Sequence, residues 1–118
     1  MSRDDAAFWA ALDTLLATSA IRVDRPRGSA HPRYPDTIYP LDYGELTGTR
    51  SGDGDPIDVW IGSLPERHVS AVIVTLDQAK RDSEIKLLIG CTPDEATLIL
   101  AFHQRGAQSA LLVERPEA

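Results

Sequence analysis

At 118 residues the chain is long enough for one hydrophobic core and too short for two. Its formal net charge of −6 argues against a general binder of nucleic acid or of an anionic membrane, while leaving room for a local basic pocket. One cysteine, Cys91, permits no internal disulfide, and no signal peptide or membrane-length apolar run is recognisable, so a cytoplasmic protein without membrane contacts is expected.

The first element, DDAAFWAALDTLLATS, has the spacing of an amphipathic helix, with Phe8, Leu12, Leu15 and Leu16 as its apolar stripe. Asp4 and Asp5 suit its positive N-terminal end. Trp9 and the stripe are expected to dock on the body of the domain or on a neighbouring subunit. A short strand follows at residues 21–24. The three prolines of PRGSAHPRYPDT then forbid regular helix and any central strand. TIYPLDYGEL is extended, and IDVWIG and HVSAVIVTL are strands rich in β-branched residues. EIKLLIGC forms a further strand after the polar hairpin tip DQAKRDS. TPDEATLILAFHQRG carries a helix start, with a Thr92/Glu95 capping box, Pro93 at the first helical position and Gly106 as the stop. SALLVERP supplies a last strand. The expected fold is a single α+β domain, mainly β, in which five or six strands form a small barrel or sheet, with one helix at the start and one near the end.

The chemistry concentrates in SGDGDPIDVW (51–60). Gly52, Asp53 and Gly54 suffice for a turn, so Asp55 and Asp58 exceed what the turn needs. Asp58 interrupts a strand otherwise built from Ile57, Val59 and Trp60. Acids gathered beside a buried strand suit a hard cation with oxygen ligands; the spacing does not fit a calcium EF-hand loop. A second acidic group, Asp77, Asp82 and Glu84, brackets the hairpin. Arg25 and Arg27, then Lys86, are cations near these clusters in sequence, and Tyr39 and Tyr43 precede the first acids. Carboxylates for a divalent metal, together with Arg, Lys and Tyr donors, form an inventory suited to a phosphate or diphosphate. Each also has a plainer reading: Asp53 as a turn residue, Arg25 in a surface ion pair, Lys86 as solvated, Cys91 as a small buried hydrophobe, His31 and His68 at the surface, and His103 at a helix end or interface.

Together VDRP, IYPLDYGEL and DGDPIDV resemble the family I soluble inorganic pyrophosphatases. The family's D-x-D-P-x-D signature is matched at Asp53, Asp55 and Asp58, and its Y-P-x-x-Y-G element at Tyr39 to Gly44. The resemblance runs from about Val23 to Leu88. It implies a five-stranded OB-like barrel with the active site at its mouth, where Mg²⁺ ions and activated water split pyrophosphate into two phosphates. It implies metal binding by Asp53 and Asp58 and orientation and deprotonation of the attacking water by Asp55. It also implies phosphate contacts from Arg25 and Tyr43, with Tyr39 supporting that wall. In the hairpin the family has two aspartates five apart and a lysine two residues later. Asp77 and Asp82 keep the first spacing, Glu84 and Lys86 the second, so Asp82 and Glu84 compete for one metal-binding role. Lys86 is the candidate phosphate-binding lysine. The family's N-terminal strand is replaced by a helix, and its late Tyr-Lys pair is missing; His103 and Arg105 are substitutes by chemistry alone. Arg27, His31 and Arg33, in an insertion of some six residues before Tyr43, offer further cations. The family also implies a homo-oligomer. Two alternatives stand beside hydrolysis of pyrophosphate: action on another diphosphate such as a nucleotide, or a phosphate- or metal-binding module without turnover.

Overall fold

In the computed structural model, which describes residues 3–117 (for Arg3 and Asp4 the backbone alone), two helices cover opposite faces of one six-stranded sheet. Helix α1 spans Arg3–Ala17, followed by strands β1 (Ile21–Arg25), β2 (Asp42–Leu46), β3 (Ile57–Ile61), β4 (Val69–Asp77) and β5 (Asp82–Ile89), then helix α2 (Pro93–Phe102) and strand β6 (Gln108–Glu114). The strand order is β1-β2-β3-β5-β4-β6; all neighbours are antiparallel except β3 and β5. The parallel pair arises because the chain leaves β3, crosses to β4 and returns through the hairpin into β5.

Strand alternation divides the core in two. Val59, Leu87, Ile89 and Val72 point to one face and pack with Trp9 and Leu16 of α1. Trp60, Leu88, Ile73 and Ala71 point to the other and pack with Ala96 and Ile99 of α2. Cys91 is buried in this second core, as expected. The α2 capping box forms as read: Thr92 Oγ1 accepts from the Glu95 amide at 3.2 Å, and Glu95 Oε1 accepts from the Thr92 amide at 2.9 Å. Glu95 also accepts from the Ser63 amide, which ties the helix start to the end of β3.

Three expectations are corrected. The sheet is not a closed five-stranded barrel: β1 and β6 are its two edges, with no pairing between them among the described residues. Pro26, Pro32 and Pro35 end β1 at Arg25 and leave a loop with a single bridge, Ala30 to Ile38, where a closing strand would need continuous donors. Only side chains span the gap, as in Arg105 Nη1 donating to Thr37 Oγ1 at 2.7 Å. TIYPLDYGEL is a strand only from Asp42 onward. On α1 the buried residues are Trp9 and Leu16, whereas Phe8 is 47% exposed. The rotation follows from anchoring at Asp13, which bonds Arg115 and the Val69 amide and turns Trp9 under the Arg115 guanidinium. The Asp4 side chain lies outside the described residues. Among those residues, no helix is long and apolar enough to cross a membrane.

Candidate active site

Strands β2, β3 and β5 together send four polar side chains from the α2 face of the sheet: Tyr43, Asp58, Glu84 and Lys86. Asp58 and Lys86 are partners in the parallel ladder, and Glu84 lies two residues before Lys86 on the same face. Tyr43 sits opposite Trp60 on the neighbouring strand. The result is a closed triangle: Lys86 Nζ to Asp58 Oδ2 at 2.8 Å, Lys86 Nζ to Tyr43 Oη at 2.8 Å, and Tyr43 Oη donating to Asp58 Oδ2 at 2.7 Å. Lys86 Nζ also reaches Glu84 Oε2 at 3.0 Å, so its three N–H groups have three acceptors.

Lys86 is 5% exposed, which would by itself favour the neutral amine. Burial does oppose its charge, but Tyr43 and the Asp58 carboxylate outweigh that cost and raise its pKa above the ordinary lysine value. Burial also pushes the Tyr43 hydroxyl well above its usual pKa. At neutral pH the site therefore presents an ammonium and an intact phenol, both suited to phosphate oxygens.

The wall beside this cluster is aromatic and cationic. Arg25 Nη1 donates to Tyr39 Oη at 2.7 Å. Tyr39 is buried among the rings of Tyr43, Trp60, Phe102 and His31. Arg105 lies over Phe102, with its Cζ 4.9 Å from the ring centroid. A cavity of about 790 Å³ opens between these groups, with Asp77 and Lys80 on its rim side.

His103, at the C-terminal cap of α2, also lines the cavity, although only 5% exposed. Trp60 Nε1 donates to its Nε2 at 3.0 Å, so Nε2 is unprotonated and the ring proton sits on Nδ1, 3.1 Å from Gln108 Oε1. Burial, then the nearby Lys86 charge, lowers its pKa to about 4. Both ring nitrogens of His103 are engaged, one by Trp60 and one by Gln108.

The structure brings together Arg25, Tyr39, Tyr43, Asp58, Asp77, Glu84 and Lys86 at one cavity. Others stand apart. Asp53 lies in the turn, where its Oδ1 accepts from the Ser51 hydroxyl and the Asp55 amide. Those bonds hold its carboxyl below the usual range, and Glu84 also reaches it. Asp55 is exposed on the same turn, outside the cavity lining. Asp82 is exposed beside Asp77 at the hairpin end, so of the two competing hairpin acids only Glu84 reaches the cavity. Among the described residues no three His, Cys, Asp or Glu side chains converge as a ready metal cluster. Sequence reasoning passed over Thr37, Tyr34 and Lys80 as lining residues and took His31 for a surface residue; only the return of the proline-rich loop onto Tyr39 brings the loop residues there.

The family model for inorganic pyrophosphatases matches residues 12–83, which include Asp53, Asp55, Asp58, Asp77 and Asp82 and end one residue before Glu84. A search of curated proteins finds no match. Among solved structures, the fold is similar to that of an inorganic pyrophosphatase from Helicobacter pylori, with a TM-score of 0.57 at 14% identity over 83% of this chain and 84% of that one. It is likewise similar to inorganic pyrophosphatases from Coxiella burnetii (TM-score 0.55, 16% identity, 80% and 82% of the two chains) and Neisseria gonorrhoeae (0.54, 18%, 80% and 81%).

Proposed function

Because this chain belongs to the inorganic pyrophosphatase family, we propose that it hydrolyses inorganic pyrophosphate to two phosphates at the cavity beside Lys86. The observation that carries this reading is the Lys86–Tyr43–Asp58 triangle, which offers a fixed ammonium and a fixed phenol O–H side by side. Phosphoryl transfer asks chiefly for charge neutralisation and alignment, and these groups supply both.

The acids suit a divalent cation by their chemistry: Asp58 and Glu84 are partly exposed oxygen donors on neighbouring strands, with Asp53 within reach of Glu84. These three are the residues proposed to hold it, and Mg²⁺ is the proposed ion, with Asp77 further along the same wall. Such a cation, when bound, adds positive charge at phosphoryl oxygens and acidifies water.

Lys86 donates to one phosphate group in exchange for its bond to Glu84. Tyr43 donates its one O–H to a neighbouring oxygen in exchange for its bond to Asp58, and Arg25, held by Tyr39, faces the second phosphate. Water adds to one phosphorus, the bridging P–O bond breaks, and its electron pair leaves with the other phosphate. Asp55 is proposed to take the water proton; it stands on the exposed turn outside the cavity lining, so this role requires the turn to close over the bound pyrophosphate. The test is phosphate release by purified protein in Mg²⁺, with pyrophosphate and ATP as parallel substrates. Turnover of pyrophosphate well above ATP is expected; none on either would sink the proposal.

One observation favours a larger substrate as a second reading. The cavity is of a size that holds drug-sized ligands, roughly 300–1,000 Å³. Rings also lead outward from the cations, with His31 stacked on Tyr39 and the exposed Tyr34 beside His31. A nucleotide base would stack there, and preference for ATP over pyrophosphate in the same assay would favour this reading.

A further inference from the structure

Tyr43 and Trp60 are partners across the β2–β3 ladder, and their rings meet edge to face with centroids 4.7 Å apart. Trp60 is fully buried, and its ring also packs against those of Tyr39, Phe102 and His103. A hydrogen bond is more directional than ring packing, and an indole has a single N–H with which to make one. Trp60 gives it to His103 Nε2 at 3.0 Å. His103 accepts there only while its proton sits on Nδ1, where Gln108 Oε1 receives it at 3.1 Å. The line Gln108–His103–Trp60–Tyr43 therefore runs from the first residue of β6, through the cap of α2, into the Lys86–Tyr43–Asp58 triangle.

We propose that His103 is a positioning residue for phosphate: through Trp60 it fixes the ring of Tyr43, without touching substrate itself. The need arises on binding. When Tyr43 turns its O–H from Asp58 to a phosphate oxygen, the phenol loses one of the two bonds that locate its oxygen, and Lys86 supplies the other. The ring must then be held by what it packs against, and Trp60 lies edge to face with it. Loss of the imidazole acceptor would orphan a buried N–H, and the indole would turn to find another partner. An apolar side chain at position 103 would fill the space and leave that donor unanswered. The inference rests on Tyr43 as a phosphate donor, which belongs to the hydrolytic reading.

The test uses two neutral variants that each keep one half of the imidazole. His103→Gln places an amide oxygen near the position of Nε2, so it still accepts from Trp60. His103→Asn reaches only the Nδ1 position and keeps the link to Gln108 alone. Nuclear magnetic resonance in Mg²⁺ follows the indole N–H of Trp60, told from the chain's other tryptophan by Trp9→Phe, while inorganic phosphate is titrated in. The wild type and His103→Gln should share a low-field indole resonance and bind phosphate alike. His103→Asn should lose that resonance position, bind phosphate about tenfold more weakly and lose a similar factor in kcat/KM for pyrophosphate, within what a displacement of about 1 Å costs. Should His103→Asn not fold, His103→Leu, with no acceptor at all, takes its place with the same expectation. Equal phosphate affinity in His103→Gln and the variant without an acceptor would overturn the proposal. So would a wild type that binds no phosphate. Phosphate binding without turnover would sink the hydrolytic reading alone, and the order of the phosphate affinities would still decide the role of His103.

Discussion

Asp58 on β3 and Lys86 on β5 stand side by side in the one parallel ladder of the sheet, and their side chains meet at 2.8 Å. A hairpin partner in that place would be close in sequence. The parallel crossover instead brings together residues 28 positions apart and adds Tyr43 from the strand beyond. The pair is half-solvated: the Lys86 side chain is 6% exposed and that of Asp58 34%. Asp58 therefore keeps a face toward the cavity while Lys86 is fixed beneath it.

Lys86→Met should cost roughly 10²–10³-fold in kcat/KM for pyrophosphate, the usual loss when one preorganised charge donor is removed. Lys86→Arg should not restore it, because a planar guanidinium cannot bond three acceptors arranged around one tetrahedral nitrogen. Steady-state kinetics on both variants checks this; an arginine variant near wild-type rate would mean that charge alone suffices.

Glu84→Gln should raise the Mg²⁺ concentration needed for half-maximal activity by about tenfold or more, a typical penalty for disturbing a metal site. Asp82→Asn should leave it within about twofold, as an exposed change outside the cavity. A metal titration of phosphate release distinguishes them, and the reverse order would move the site toward the hairpin end.

Asp58→Asn and Asp55→Asn separate metal binding from water activation. A cation that binds only the folded state stabilises it by mass action, about 2.7 kcal/mol at a hundredfold excess over Kd. Asp58→Asn should lose both that thermal shift and turnover. Asp55→Asn should keep the shift and lose about 10²–10⁴-fold in rate. Full activity in Asp55→Asn would assign the water proton to another carboxylate.

His103 makes stability depend on pH in a known direction. Its folded pKa of about 4 lies below the ordinary histidine value, so on acidification the unfolded chain binds a proton first. Stability is complete above about pH 6.5 and falls as pH drops toward 4, by up to about 3 kcal/mol for this one group. Denaturant unfolding across that range should show a shallower slope in His103→Gln. An unchanged slope would mean that the ring is not held neutral.

Gly44→Ala should destabilise the fold by about 1–3 kcal/mol, because a Cβ there runs into the Arg22 carbonyl of β1, which is backbone and cannot move aside cheaply. Gly52→Ala meets nothing within 4 Å and should fall within about 0.5 kcal/mol of wild type. Paired denaturation curves decide the matter. The requirement at Gly44 gives the glycine after Tyr43 a packing reason, since it lets β1 approach the strand that carries the phenol.

Local features were the most legible. The α2 capping box, the β-branched β4 and the hairpin into β5 each rest on short-range rules, and each formed as read. Tertiary relationships were not. Nothing near Lys86 reveals that β3 lies beside it in parallel, and the choice between Asp82 and Glu84 needed that pairing. The expected closed barrel gave way to an open sheet through three prolines that had been noticed, but whose effect on edge pairing depends on where β6 ends up. Phe8 and Trp9 are adjacent apolar residues, and periodicity alone could not say which one Asp13 and Arg115 would turn inward. His103 was invisible as a core residue because its partners, Trp60 and Gln108, come from two other strands.

If the cavity splits pyrophosphate with a divalent cation and the Lys86 ammonium acting together, removing either should abolish turnover. The most direct measurement is phosphate release from pyrophosphate by the wild type and by Lys86→Met, each in Mg²⁺ and in EDTA. Activity is expected only for the wild type in Mg²⁺, with the other three conditions at or near background. Equal release by the wild type in EDTA, or by Lys86→Met in Mg²⁺, would contradict it.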